Sequence, residues 1–216
     1  VILVTPIDSA APKGRLILPQ QQTIREIIDA GACALVTRED GLQRTLDNLK
    51  TPPALVITDS QVFKRVAKDT PAEIPLTSFS ILMARHKGNL SAAVNGIVAL
   101  KHLQDNDLVL ISEGCTHHRQ CGDIGTVKLP AWLQEKTGKT LQFTWTSGTE
   151  FPLDLTPYQL IVHCGGCMLN EREMQYRYRC AEEQQIPMTN YGLCIAYTQG
   201  ILKRALGVFP ELAEKL

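Results

Sequence analysis

Tyr158–Cys167 reads YQLIVHCGGC, and Asn170 and Glu173 follow at once in a polar, helix-forming stretch. A short apolar run stopped by glycines reads as a buried strand. A strand that passes through a tight turn into a helix is the repeating step of a parallel α/β sheet. The same step recurs on both sides. Leu108–Ser112 (LVLIS), Leu141–Thr146 (LQFTWT) and Ile186–Thr189 (IPMT) complete a set of four strands, with helices expected at Ala131–Lys136, Asn170–Gln184 and Leu193–Leu206. Upstream lies a second set: Val1–Ile7, Ala34–Thr37, Ala54–Thr58 and Ile74–Phe79. The stripes Ile24/Ile27/Ile28, Leu42/Leu46/Leu49 and Val62/Phe63/Val66 mark the helices between them. One long helix, from about Ile81 to Leu103, is expected to join the sets. The expected fold class is therefore α/β, two small domains, each a mostly parallel sheet flanked by helices. The boundary falls near Ser78–Ser80, giving residues 1–79 and 80–216, and no internal sequence repeat is visible.

Composition narrows the function. Of 216 residues, 44% are hydrophobic and 20% charged, as in ordinary globular domains. Lys plus Arg and Asp plus Glu are 22 each, and neither clusters. That balance offers no basic footprint for nucleic acid or a membrane surface. No apolar run reaches the ~18 residues of a membrane span. Seven cysteines are an odd count, which argues against a disulfide framework and for a reducing, cytoplasmic setting where grouped thiols bind metal or do chemistry. The chain opens at Val1 rather than Met, so a preceding segment is expected.

The chemistry gathers at two strand ends. Cys164 and Cys167 lie directly after YQLIV, and their spacing lets two thiolates share one metal or cluster. Asn170 and Glu173 look like a capping box, which would turn the positive end of a helix toward those thiols. Cys115, with His117 and His118, lies directly after LVLIS. In a doubly wound sheet, such carboxyl ends share the edge where ligands bind. The 45 residues between His117 and His163 therefore need not separate them in space. A redox dithiol, a zinc site of three cysteines and one histidine, and an iron–sulfur cluster with one weakly held iron all suit such a set.

ISEGCTHHRQ (111–120), VHCGGCMLNEREMQYR (162–177) and PMTNYGLCIAYTQGILKRAL (187–206) together resemble the C-terminal domain of the [FeFe]-hydrogenase maturation factor HydF family. DSAAPKGRLILPQQQTIREIIDAG (8–31) resembles that family's dimerisation domain, so the resemblance covers essentially the whole chain. It implies a [4Fe-4S] cluster ligated by Cys115, Cys164 and Cys167, with His117 and His163 matching the motif's histidines. It also implies a non-catalytic scaffold and carrier. Such a carrier holds the diiron precursor of the hydrogenase active site as cargo. It is supplied with the help of two radical-enzyme maturases and delivers to the apo-[FeFe]-hydrogenase. Asp123 is a candidate for the remaining iron, because a carboxylate is a weak, exchangeable ligand there; Cys121 could supply a fourth thiolate but reads more simply as a loop thiol, since the family motif does not require it. A homodimer held by residues 1–79 is expected, since so small a domain buries only about 60% of its unfolded surface alone. The rival readings are an enzyme using an open-site cluster as a Lewis acid and a zinc-stapled interaction module.

The family's GTP-binding domain has no counterpart in these residues. A phosphate loop needs G-x-x-x-x-G-K-[ST]. Gly138-Lys139-Thr140 supplies its end, but Leu133 stands where the first glycine belongs. Gly138 reads instead as the end of a helix. Cys33, Cys180 and Cys194 read as core, His86 and His102 as residues of the long helix, and Arg119 and Lys128 as charges flanking the site.

Overall fold

The computed structural model describes residues 1–7, 15–114 and 123–216. Cys115, His117, His118, Arg119 and Cys121 lie outside the described residues. The first half runs β1 (Ile2–Val4), α1 (Leu18–Asp29), β2 (Leu35–Thr37), α2 (Leu42–Asp47), β3 (Val56–Thr58), α3 (Phe63–Asp69), β4 (Leu76–Ser78). The second runs α4 (Phe79–His86), α5 (Leu90–Ala99), β5 (Leu108–Glu113), α6 (Leu129–Thr137), β6 (Gln142–Ser147), β7 (Leu160–His163), α7 (Glu171–Glu183), β8 (Met188–Asn190) and the helices α8 (Tyr191–Thr198), α9 (Leu202–Ala205) and α10 (Pro210–Ala213).

Two four-stranded sheets result, ordered β2-β1-β3-β4 and β6-β5-β7-β8, with every pairing parallel. This is the α/β architecture of two sheets flanked by helices that the sequence predicts. The strand order is the same in both halves, although their sequences show no repeat. In each sheet the order reverses between the first and third strands, and a crevice opens there at the carboxyl ends. The central strands are apolar on both faces: Ile2, Leu3 and Val4, and likewise Val109, Leu110 and Ile111, are fully buried.

The two halves are not separately filled. One contiguous apolar core contains Val4, Val56 and Leu76 of the first sheet and Val109, Leu110 and Ile161 of the second, with Ile81, Val94 and Ile97 between them. Across the same seam, Arg204 donates to the carbonyls of Ala67, Thr70 and Pro71 at the end of α3.

The expected long helix is two. α4 ends at His86, and Asn89 starts α5 by accepting the Ala92 N–H at 2.9 Å. An Asn side chain that offers the backbone an acceptor at this point competes with helix continuation. The expected Leu193–Leu206 helix likewise divides into α8 and α9 around Gln199 and Gly200.

Gly138 ends α6 in the left-handed conformation, at φ 67°. The run Leu133–Thr140 thus leads from a helix toward a strand, the reverse of a phosphate loop. The purified chain is expected to show no saturable binding of GTP by titration calorimetry; a stoichiometric isotherm would overturn this. No helix among the described residues is long and apolar enough to cross a membrane.

Candidate metal centre

β5 and β7 are neighbours at the reversal point of the second sheet, with Ser112 opposite His163. The ladder continues one step beyond the strand, as the Cys164 N–H donates to the Ser112 carbonyl at 2.8 Å. The sulfur of Cys164 then receives two backbone donors, the N–H of Gly114 at 3.0 Å and that of Gly166 at 3.4 Å. Donors converging on a sulfur favour its anionic form, the form that binds metal. Both donors need glycine. A Cβ at Gly114 would lie 2.7 Å from the Leu169 side chain; Gly166 has φ +60°, and its Cβ would lie 2.5 Å from the Met174 sulfur.

Cys164 and Cys167 are both half-buried at the surface of this turn. The turn is held from a distant part of the chain. Lys87, just beyond α4, donates through Nζ to the carbonyls of Cys167 at 3.0 Å and Leu169 at 3.2 Å. Gln175 in turn donates to the carbonyls of Lys87 and Gly88. Asn170 caps α7 by accepting the Glu173 N–H at 2.8 Å, so the first half of the expected capping box forms. The Glu173 carboxylate instead takes the Nε–H of Arg177, one turn further on, at 2.8 Å.

His163 is fully buried. Its Nδ1 lies 2.7 Å from the Cys164 carbonyl and its Nε2 lies 3.1 Å from Nη1 of Arg177. A carbonyl only accepts and a guanidinium only donates, so the ring is neutral with its proton on Nδ1. Burial lowers its pKa from 6.5 to about 4, against the Cys164 carbonyl bond, which raises it, and with the nearby Arg177 charge, which lowers it further. Unfolding therefore takes up a proton between those two values. In the metal-free chain, stability should be constant above about pH 6.5 and fall as pH drops toward 4. The loss is about 3 kcal/mol at the lower end. Urea unfolding at pH 7 and pH 4.5 checks this: His163→Asn should flatten the slope, and an unchanged slope would refute the assignment.

Asp123 opens the short turn Ile124–Lys128. One of its oxygens accepts the N–H groups of Gly125 and Thr126, both at 3.0 Å, and the Thr126 hydroxyl at 3.1 Å. Glu113, the last residue of β5, is 2% exposed, and its Oε1 accepts the Tyr191 hydroxyl at 3.1 Å. Burial raises the Tyr191 pKa far above its ordinary value, and the negative charges of Glu113, Cys164 and Asp123 raise it further. Those four groups therefore share one neighbourhood at the strand ends. Among the described residues, no three His, Cys, Asp or Glu side chains converge as a metal site.

Two family descriptions match the chain along its length. Residues 1–88 match the Hydrogen maturase F dimerization domain, and residues 91–208 match the Hydrogen maturase F tetramerization domain. The chain belongs to the HydF family. No curated protein matches it. HydF membership ties the chain to hydrogenase maturation. The two descriptions also assign self-association to both halves, where the sequence alone places it in the first. Within this HydF chain, Glu113, Ser112 and Arg177 stand at the strand ends around the cysteine turn, and sequence reasoning passes over them. Glu113 stands two residues before Cys115 in ISEGC, a carboxylate closing an apolar strand. Arg177 sits in EREMQYRYR, a stretch that looks like a solvated helix face. Cys194 is buried as expected, but Cys33 is exposed, because it precedes the uncovered edge strand β2. His86 and His102 are exposed on the surface.

Proposed function

We propose that this chain is a scaffold and carrier in hydrogenase maturation rather than an enzyme. It binds a [4Fe-4S] cluster through Cys115, Cys164 and Cys167 and holds the diiron precursor of the [FeFe]-hydrogenase active site. The apo-[FeFe]-hydrogenase is the recipient, the two radical-enzyme maturases are the suppliers, and the cytoplasm keeps the thiols reduced. The observation that carries this reading is the Cys164 sulfur. It is gripped by two backbone N–H donors at the reversal point of the sheet, with Cys167 in the same turn and Cys115 two residues past Glu113. Soft thiolates with backbone donors suit iron–sulfur ligation.

When bound, the cluster supplies an iron that three thiolates leave to a weaker, exchangeable ligand. The chain's own groups do the rest. The glycine N–H donors stabilise the anionic sulfur, and Lys87 fixes the carbonyls of the cysteine turn. Asp123 and Glu113 bring carboxylates to the same edge, with His117 as the third candidate for the remaining iron or the cargo. Their oxygens are hard, weak donors for iron, which is what an exchangeable position needs.

Anaerobic reconstitution with iron and sulfide tests the reading. About four irons and four sulfides per chain, with visible charge-transfer absorption that bleaches on reduction, is the expected result. One zinc and no sulfide would establish the zinc-stapled module instead.

A further inference from the structure

Arg177 is the largest fully buried side chain among the described residues. A buried guanidinium is costly unless its donors are satisfied, and here they are spent on one place. Nε donates to Glu173 at 2.8 Å, Nη2 to the Gly148 carbonyl at 3.0 Å, and Nη1 to the Ser112 hydroxyl at 3.3 Å and to His163 Nε2 at 3.1 Å. The Phe151 ring covers the guanidinium, its centre 5.0 Å away. Ser112 also accepts the Thr146 hydroxyl at 3.1 Å. A single side chain from α7 thereby joins β5, β7 and the loop after β6, all at their carboxyl ends.

We infer that Arg177 is a positioning residue for the cysteine turn: it holds His163 in the Nδ1–H form, so that His163 grips the Cys164 carbonyl and takes no part as an iron ligand. The chain of contacts is direct. Arg177 can only donate, so Nε2 of His163 must be bare, and the proton sits on Nδ1. Nδ1–H then donates to Cys164, whose sulfur collects the Gly114 and Gly166 N–H groups. Both imidazole nitrogens are thus used inside the protein. The arrangement parallels the outer partners that orient metal-binding histidines, with the carbonyl of a ligand residue as the thing oriented. Lys could not replace Arg here, because a point charge cannot bridge Glu173, Gly148, Ser112 and His163 together. The consequence for the cluster rests on the reading of the site given above; the proton placement does not.

Nitrogen-15 spectra of histidine-labelled, metal-free protein read the tautomer directly. The wild type should show His163 protonated on Nδ1 alone, and Arg177→Met, which leaves only the Cys164 carbonyl to hold that proton, should show the Nε2–H form that free histidine favours appearing beside it. In reconstituted protein, Arg177→Met should lower about tenfold the chelator concentration that strips half of the cluster. Should Arg177→Met fail to fold, two His163 variants keep the test. His163→Asn retains a donor at the Nδ1 position and should keep near wild-type chelator resistance. His163→Gln loses that donor and should fall about tenfold. An Nε2–H tautomer in the wild type, equal chelator resistance of the Asn and Gln variants, or an imidazole nitrogen bound to iron in pulsed electron paramagnetic resonance would overturn the inference. A wild type that takes up no iron while showing the Nδ1–H tautomer would defeat the cluster reading and leave the Arg177–His163 placement supported.

Discussion

Replacing Cys164 or Cys167 with Ala is expected to leave a folded chain that holds no stable [4Fe-4S] cluster. Both residues sit on one glycine turn at the end of β7, and neither fills the core. Removing the Cys164 sulfur strips two backbone N–H groups of their acceptor, a loss of about 1–3 kcal/mol where the donors stay buried. Cys115→Ala should match the other two in cluster loss. Cys194→Ala is the control: this thiol lies in the core, where burial raises its pKa, and its loss should leave iron content unchanged. Iron per chain and the visible spectrum after anaerobic reconstitution decide the matter. Any single variant that keeps four irons and the wild-type spectrum removes that residue from the ligand set.

We propose that two copies of the chain pair through the first sheet, and Val36→Lys is then expected to leave a monomer at micromolar concentration. In the first sheet the outer strands are β2 and β4. β4 is buried along its whole length, whereas β2 leaves Leu35 and Val36 43% and 48% exposed. An uncovered apolar edge with open backbone groups is a template for another strand. A two-fold axis would pair β2 with the same strand of a second copy, antiparallel, so each substitution counts twice. Losing half-exposed apolar area on both sides and burying two ammonium groups weakens such a pair by about 3 kcal/mol, roughly a hundredfold in Kd. Sedimentation equilibrium measures it. The second sheet also has an exposed outer strand, β6, where Trp145 is 40% exposed, and Leu153 beyond it is 83% exposed. If Leu153→Lys abolishes the dimer while Val36→Lys does not, the two-fold contact lies in the second half.

The strands are legible in the sequence because parallel strands are buried on both faces and show as unbroken apolar runs; ALVIT, LVLIS and YQLIV all survive as strands, trimmed or extended by one or two residues. Helix boundaries are less so. Nothing in the spacing of Leu90, Val94 and Ile97 announces that Asn89 would rather cap than continue. The cysteine turn is visible from its spacing. The groups that shape it are not, because they come from distant positions: Lys87 lies 80 residues from Cys167, and Arg177 earns its burial only from acceptors gathered at the sheet edge. A polar stretch in a helix looks solvated until tertiary contacts supply those acceptors. Cys33 fails for the converse reason, since an apolar neighbourhood in sequence becomes surface on an outer strand.

The shared core and the Arg204 bonds across the seam bear on how the molecule comes apart. Families divide the chain between residues 88 and 91, but the packing does not. Heat or urea should meet one cooperative unit in which neither sheet melts without exposing the apolar flank of the other. A scissor cut at that junction would leave two greasy half-cores.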